Sequence, residues 1–165
     1  MINRDNPITI SRTKSQKHID ACLAIAKELL NRFFNEQGIA NMSQDLQKQL
    51  SYVALSSNEV VGFAVIDKKS SQVAEILWMA VKPKLQRQGI GRALINEVAK
   101  ELSKQGIKLL EIKTLATYKD LVLYEQTYGK TKRFYEKTGF IHIETIDPYP
   151  EWEPDNPCAI YVKIL

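Results

Sequence analysis

The chain has few of the residues that bind metals or crosslink small proteins. Its 165 residues include two cysteines, Cys22 and Cys158, and two histidines, His18 and His142. These four residues form neither a disulfide framework nor a metal-ligand spacing, so no metal site is expected. Cys22 lies on the apolar face of a predicted helix, where it serves most simply as a core residue. For Cys158, which follows Asn156-Pro157, we favour the core and keep a site role as the alternative.

Long apolar runs and linkers are also missing. No run approaches the ~20 residues that a membrane helix needs, and charged residues interrupt any signal-peptide segment near the start of the chain. No linker rich in proline, glycine or serine, internal repeat or low-complexity tract divides the sequence. We therefore expect one domain over residues 1–165 that is cytoplasmic and has no membrane partner. The net charge of +4 favours an anionic ligand but is too small and dispersed to indicate nucleic acid.

What the sequence does contain is a pair of glycines, Gly89 and Gly91, between an apolar run and a helical pattern. Glycines let the backbone turn sharply and bring its N–H groups close to a ligand. An anion can then bind at the helix N-terminus, assisted by the flanking Arg87 and Arg92. The segment therefore predicts a phosphate cradle, with an ordinary strand-to-helix turn as the alternative. Arg92-Ala93 excludes a Walker P-loop, and Leu94 excludes a dinucleotide fingerprint.

Periodicity predicts a mixed α/β order of elements. Helices are expected at Gln16–Phe34, at Ser43–Gln49, from the glycine turn to Gly106, and at Lys130–Thr138. The second of these helices is expected to follow a break at Gly38 and to have Ser43 as its N-cap. Strands are expected at Ile8–Ser11, Tyr52–Ser56, Val60–Asp67, Val73–Val81, Ile107–Leu115, Phe140–Ile146 and Ala159–Ile164.

Two of these strands and two further segments carry additional expectations. The almost continuously apolar strand Val73–Val81 is expected to be buried on both faces. A helical crossover implies that Ile107–Leu115 runs parallel to it. Leu121–Tyr128 is ambiguous, and Asp147–Pro157 is a loop because its four prolines prevent regular pairing.

Several segments together resemble the GCN5-related N-acetyltransferase (GNAT) superfamily. The family's Arg/Gln-x-x-Gly-x-Gly/Ala signature is similar to Gln86-Arg87-Gln88-Gly89-Ile90-Gly91. Its fourth strand is similar to residues 74–81, where an acidic residue, Glu75, stands at the position of a general base. Thr131–Phe140 is similar to its Ala-x-x-Phe-Tyr-x-x-x-Gly-Phe helix and strand. Tyr128 and Thr131 replace the family's asparagine and alanine. Trp152–Cys158 resembles a bacterial subgroup of unknown substrate, and the resemblance covers roughly residues 60 to 165.

The resemblance implies a central mixed, mostly antiparallel sheet flanked by helices, in which parallel strands four and five splay apart around acetyl-CoA. The glycine turn would bind the pyrophosphate, while backbone groups around Met79–Val81 would pair with the pantetheine and polarise the thioester. The residues implied to bind the cosubstrate are Met79, Ala80, Val81, Arg87, Gln88, Gly89, Ile90, Gly91, Arg92, Phe134 and Lys137.

Two side chains are candidates for the chemistry of acetyl transfer to an amine. An alkylammonium titrates near ~10.4, so a base must accept its proton at neutral pH. Glu75 is the only charge between Val73 and Val81 and is that candidate, directly or through water. The alternatives are that Glu75 lies at a β-bulge or forms a structural ion pair. The thiolate of CoA needs a proton, and the resemblance assigns this role to Tyr135, with a core aromatic as the alternative. We see no case for a covalent intermediate on Cys158, because nothing supplies a neighbouring base.

Acceptor choice is expected to come from the N-terminal helices and the 147–157 loop. Aromatic candidates for the acceptor pocket are Tyr118, Tyr124, Tyr128, Tyr149 and Trp152, and acidic candidates are Asp120, Glu125, Glu151 and Glu153. The alternatives are that the aromatic residues only pack against the protein and that the acidic residues are solvated at the surface. The main hypothesis is an N-acetyltransferase that uses acetyl-CoA and an unidentified amine. A non-catalytic acyl-CoA sensor and a toxin that acetylates aminoacyl-tRNA are the alternatives. A homodimer that shares Ala159–Ile164 is compatible with the sequence.

Overall fold

The computed structural model describes residues 7–30, 33–116 and 125–165. The described strands are β1 (Thr9–Thr13), β2 (Leu50–Ser56), β3 (Glu59–Lys68), β4 (Val73–Val81), β5 (Leu109–Leu115), β6 (Ile141–Ile146) and β7 (Cys158–Ile164). The described helices are α1 (Gln16–Glu28), α2 (Glu36–Lys48), α3 (Ile90–Lys104) and α4 (Tyr128–Lys137), with a short 3-10 turn at Pro83–Leu85. No helix in the described ranges is long and apolar enough to cross a membrane.

The strands form a single mixed sheet that opens between β4 and β5. Its order is β1-β2-β3-β4-β5-β7-β6, and β4 and β5 are the parallel pair. Their pairing runs from Val73 opposite Leu109 to Ile76 opposite Ile112. Beyond Ile76, β4 continues along β3 while β5 continues along β7, so the two strands separate into a cleft. The predicted mixed sheet with splayed parallel strands is therefore confirmed.

A β-bulge in β4 marks the point where the cleft begins. Val65 of β3 is opposite Trp78, but the next residue, Ile66, is opposite Ile76, so Leu77 is the extra residue. Bulges bend a strand and increase its local twist, and this one directly follows the last residue paired with β5. The bend turns β4 away from its parallel neighbour.

Helices cover the two faces of the sheet and divide its core into two clusters. On one face, α3 and Tyr135 of α4 pack against alternate strand residues that include Ala74 and Ile76. On the other face, α1 and α2 pack against the strand residues whose side chains point the opposite way, which include Phe63, Val65 and Ala80. We call these the α3 face and the α1 face. Glu75 lies between Ala74 and Ile76 and therefore belongs to the α1 face.

The predicted end of the first helix is wrong. The helix was expected to continue to Phe34, but it ends at Glu28, and Phe33 donates its backbone N–H to the carbonyl of Leu29 at 3.0 Å. Leu29 and Phe33 still pack into the core on the α1 face. The apolar spacing therefore continues past the helix because the turn buries the same side chains.

The predicted start of the second helix is also wrong. The helix begins at Glu36, and the side chain of its N-cap residue, Asn35, accepts a hydrogen bond from the backbone N–H of Gly38 at 2.7 Å. Gly38 is thus inside the helix rather than a break, and Ser43 is not the cap. A glycine costs only about 1 kcal/mol in a helix, which the asparagine cap offsets.

The other predicted elements are found, apart from small differences at their ends. β4 departs from the expectation in one respect, since Ala74–Ile76 is buried but 77–79, along the cleft, is half-buried. Of the ambiguous segment Leu121–Tyr128, residues 121–124 lie outside the described ranges, and Tyr128 begins α4. The segment 147–157 connects β6 to β7 without a helix or strand, as its prolines predicted.

Candidate active site

The glycine turn presents backbone N–H groups at the start of α3. Gly89 is the N-cap residue in the left-handed conformation, with φ 87° and ψ −5°, and no side chain caps the helix. A left-handed residue followed by a helical one directs successive N–H groups into a concavity that suits an anion. Nothing lies within 4 Å of the position that a Cβ on Gly89 would take. The space on this side of Gly89 is therefore unoccupied by protein atoms.

Two glutamines fix this turn to the chain that precedes it. The Gln86 side chain donates to the carbonyl of Val81 at 3.2 Å, and the Gln88 side chain donates to the carbonyl of Lys84 at 3.4 Å. Arg87 between them is exposed and has a φ of 64°. Arg92, in the first turn of α3, is also exposed. The turn therefore lies at the end of β4 with two cations beside it.

Residues from β4, α3 and α4 meet next to this turn. A Cβ added to Gly91 would lie 3.0 Å from the ring of Phe134 and 3.2 Å from the terminal methyl of Met79. This contact brings together three of the residues that the sequence implicated in cosubstrate binding. Lys137 of the same set is an exposed residue in the last turn of α4.

Gly62 also shapes the region around the glycine turn, and the sequence did not identify it as a site residue. A Cβ there would lie 3.0 Å from the carbonyl oxygen of Ala80 and 3.3 Å from a methyl of Ile90. Gly62 thus allows β3 to approach both the end of β4 and the start of α3. A glycine inside an apolar strand was the available signal for such a close approach.

Tyr135 lies on α4 among aromatic rings. Its side chain is buried, and its ring centroid is 5.3 Å from that of Phe134 and 5.4 Å from that of Phe140. It belongs to the same core cluster as Ile76 and Ile112, the last paired residues before the cleft. Burial raises the pKa of Tyr135 above its usual range, so the phenol is protonated at neutral pH. Both the acid role and the aromatic core role are compatible with this position.

Glu75 is buried in an ion pair with two lysines. The Nζ of Lys113 lies 3.1 Å from each carboxylate oxygen, and the Nζ of Lys69 lies 2.9 Å from Oε2. Lys113 also lies 3.4 Å from Glu111, the residue opposite Glu75 on β5. The buried carboxylate of Glu75 is therefore paired. The ion-pair alternative describes its side chain, and a base role has to operate from within that pair.

The two lysine side chains differ in their exposure to solvent. Lys113 lies within β5 with a side chain 19% exposed, whereas that of Lys69, after β3, is 42% exposed. Burial alone would lower the pKa of Lys113, but the charge of Glu75 and its hydrogen bond raise the pKa above its usual range. The hydrogen bond to Glu75 likewise raises the pKa of Lys69. Both lysines are therefore cationic at neutral pH.

The 147–157 loop contacts this cluster through Tyr149. The Nζ of Lys113 lies 5.9 Å from the centre of the Tyr149 ring, which is within cation–π range. Tyr149 in turn donates its hydroxyl to Glu151 at 3.3 Å and contacts Trp152 edge-on at 5.2 Å between ring centres. Three residues predicted for the acceptor pocket are thus brought next to the Glu75 cluster.

The connection between α1 and α2 bridges β4 and α4. Phe34 contacts Trp78 of β4 edge-on at 6.1 Å, and Trp78 donates its indole N–H to Asp45 at 2.7 Å. Phe33 contacts Tyr128 edge-on at 5.6 Å and accepts its hydroxyl hydrogen bond at 3.1 Å through the backbone carbonyl. Phe33 and Phe34 therefore connect β4 to α4, and Tyr128 is the α4 residue of this contact.

The remaining predicted residues divide into three groups. Tyr118, Asp120 and Tyr124 lie outside the described ranges. Glu125 pairs with Arg133 at 2.8 Å on the surface, and Glu153 is exposed. Cys22 and Cys158 are fully buried, and burial raises the pKa of Cys22 to about 12 and that of Cys158 to about 11. Both are therefore protonated thiols at neutral pH, which agrees with core packing.

Comparison with known proteins identifies the family. A family model described as an acetyltransferase (GNAT) domain matches residues 47–142, which is more than half of the chain. The chain belongs to the GNAT acetyltransferase family. This match includes β4, the glycine turn, α3, β5 and α4, so the GNAT domain is the part of the chain that carries the whole cleft.

Relatives of this GNAT chain are found among curated sequences and solved structures. It is 28% identical over 97 residues to the uncharacterized N-acetyltransferase YvbK of Bacillus subtilis, an alignment that spans 56% of this chain and 63% of YvbK. A GNAT-family protein from Desulfovibrio desulfuricans superposes with a TM-score of 0.82 at 20% identity, over 96% of this chain and 99% of the other. A GNAT acetyltransferase from Elizabethkingia anophelis, solved with acetyl-CoA bound, superposes with a TM-score of 0.69 at 24% identity, over 96% and 98%. These structural likenesses establish the shared fold.

Proposed function

We propose that this protein is an acetyl-CoA-dependent N-acetyltransferase that transfers an acetyl group to a primary amine of a small molecule, peptide or protein. The observation that carries the proposal is the arrangement of the cleft. The glycine turn that begins α3 lies at one end of β4 on the α3 face, and a buried carboxylate lies at the other end on the α1 face. Membership of the GNAT family and the acetyl-CoA in the Elizabethkingia relative support this assignment.

The cosubstrate site proposed here uses backbone more than side chains. The N–H groups of Gly89, Ile90 and Gly91 bind the pyrophosphate, with Arg87 and Arg92 as flanking cations. The pantetheine pairs with Met79–Val81 like an added strand, since within the described ranges β5 pairs with β4 only as far as Ile76. Gln88 supports the turn, while Phe134 and Lys137 line the α4 side. One β4 N–H group polarises the thioester carbonyl.

Glu75 is proposed to act on the acceptor amine. The acceptor enters from the α1 face, between the connection 29–35 and the 147–157 loop. An ammonium that reaches Glu75 meets a carboxylate that is already held in place by Lys113. Glu75 then orients the amine and receives its proton, directly or through water, so that the neutral amine attacks the thioester.

Tyr135 is proposed to protonate the leaving group. Its buried phenol is protonated at neutral pH, and the collapse of the tetrahedral intermediate produces a thiolate that needs a proton. Its position on α4, next to the cosubstrate residue Phe134, supports this role.

The test is transfer of isotope-labelled acetyl from acetyl-CoA into a bacterial extract that is separated into small-molecule, peptide and RNA fractions. We expect wild-type protein to label one amine-bearing fraction. Glu75→Gln and Tyr135→Phe should each lower the rate by about 10²-fold, because general acid–base catalysis contributes at least this factor. Affinity for acetyl-CoA should stay close to wild type in both variants, which calorimetry measures.

Each other outcome has a definite meaning. Acetyl-CoA binding without label in any fraction would replace the enzyme by an acyl-CoA sensor. Label confined to the RNA fraction would indicate acetylation of aminoacyl-tRNA. Equal rates in wild type and Tyr135→Phe would remove Tyr135 from the mechanism.

A further inference from the structure

Lys69 places a primary amine on the carboxylate that is proposed to receive the acceptor. Its Nζ lies 2.9 Å from Oε2 of Glu75 and 3.2 Å from Asp67. A lysine side chain has the same reactive group as the amine substrate of an N-acetyltransferase. The chain therefore carries an acceptor-like group inside its own proposed site.

The position of Lys69 along the sheet matches the approach of an acceptor. Glu75 is one residue before Ile76, the last residue of β4 that pairs with β5, so its carboxylate is at the closed end of the cleft. Cosubstrate bound at the glycine turn enters from the α3 face, whereas Glu75 and its lysines are on the α1 face. An acyl group that passes through the cleft thus emerges on the side where Lys69 lies.

Lys69 can leave Glu75 more easily than Lys113 can. Its side chain is 42% exposed, and it begins an exposed connection, residues 69–72, between β3 and β4. Lys113 is fixed inside a strand and bound to Glu111 as well as to Glu75. Lys113 thus anchors the carboxylate, while the ammonium of Lys69 occupies a place on Glu75 that another ammonium can take.

We propose that Lys69 occupies the place of the acceptor amine and is itself acetylated by acetyl-CoA bound to the same molecule. The inference rests on the proposed acetyl-CoA-dependent activity and adds a modification site to it. An acetylated Lys69 has no charge, so it releases Glu75 and opens the site to an external ammonium. Free Lys69 competes with that ammonium.

The reaction balances with acetyl-CoA as the sole co-reactant. The Lys69 ammonium loses a proton through Glu75 to solvent, and the lone pair of Nζ attacks the thioester carbonyl carbon. An N–C bond forms, and the C–S bond breaks with its electron pair on sulfur. Nζ then loses a second proton, and the thiolate gains one proton. The net products are N-acetyl-lysine, CoA thiol and one released proton.

The experiment is a time course of the full chain with deuterated acetyl-CoA and no added acceptor, read as site-resolved acetylation by mass spectrometry. Lys68 is the matched control because it is the adjacent exposed lysine, and it hydrogen-bonds Gln105 instead of the Glu75 cluster. We expect Lys69 to be labelled about tenfold or more faster than Lys68, at a fractional rate independent of protein concentration. Spontaneous acetylation would not favour Lys69, since the hydrogen bond to Glu75 raises its pKa and leaves less free amine.

Glu75→Gln separates catalysis from chemical background. The substitution frees Lys69 from its ion pair, so spontaneous labelling of Lys69 should rise, whereas the proposed reaction should slow about tenfold or more. Equal labelling of Lys68 and Lys69, or an unlabelled Lys69 in protein that binds acetyl-CoA by calorimetry, overturns the proposal and leaves the proposed function standing. Absence of acetyl-CoA binding overturns both.

Discussion

Glu75 illustrates at the scale of the residue what a sequence can and cannot predict. The sequence identified one charge in an apolar strand, and that charge is buried at the closed end of the cleft. It did not identify the partners, because Lys69 and Lys113 reach Glu75 from a connection and from a parallel strand. Pairing across a sheet depends on register, which a local pattern does not contain. The two partners change Glu75 from an isolated base into an anchored, ammonium-binding carboxylate.

The anchor is testable through the pH dependence of stability. The pKa of Lys113 is raised in the folded protein, so its ion pair stabilises the fold fully below the unfolded value of 10.5, and this contribution falls as pH rises further. Lys113→Met should lower the free energy of unfolding by about 2 kcal/mol at pH 8, the scale of a hydrogen bond to a charged group.

Urea denaturation of wild type and Lys113→Met at pH 8 and pH 11 measures this effect. The difference between the two proteins should shrink at pH 11, because Lys113 of the unfolded chain is mostly neutral above pH 10.5 and folding must then bind a proton to form the ion pair. Lys108→Met removes an exposed lysine next to β5 and should change stability little at either pH. A Lys113→Met difference that stays constant from pH 8 to pH 11 would contradict the ion-pair account.

At the scale of the element, the two ends of α3 carry two glycines of the same conformation, of which only one is proposed to bind a ligand. Gly89 before the helix and Gly106 after it both have positive φ, 87° and 85°, and neither has an atom within 4 Å of an added Cβ. Alanine at either position should therefore cost about 1 kcal/mol of stability for the left-handed conformation alone. Only Gly89 faces the proposed pyrophosphate.

The paired variants Gly89→Ala and Gly106→Ala test that distinction. Both should show the same shift in urea midpoint. Gly89→Ala should also weaken acetyl-CoA binding about tenfold, because its Cβ keeps the phosphate away from the backbone N–H groups, whereas Gly106→Ala should bind like wild type. Equal affinity in the two variants would argue against a phosphate at the glycine turn.

At the scale of the whole molecule, the sequence predicted the element order, the parallel pair β4 and β5, and the GNAT family. These features depend on local periodicity and on motifs that lie within single segments. The boundaries of α1 and α2 were missed because Leu29 and Phe33 are buried by a turn and Asn35 acts as an unrecognised cap. The aromatic bridge from the connection 29–35 to β4 and α4 was also missed, since it joins distant parts of the chain. A homodimer stays a prediction.

The central claim is that the cleft between β4 and β5 binds acetyl-CoA, and the most direct measurement is calorimetric titration of wild type and Gly91→Val with acetyl-CoA. A side chain at Gly91 would lie 3.0 Å from Phe134 and 3.2 Å from Met79, so it would narrow the cleft beside the glycine turn. We predict binding to wild type and an affinity for Gly91→Val lower by about 10²-fold, in protein that remains folded by circular dichroism. Equal affinity in the two proteins, or no binding to wild type, would contradict the account.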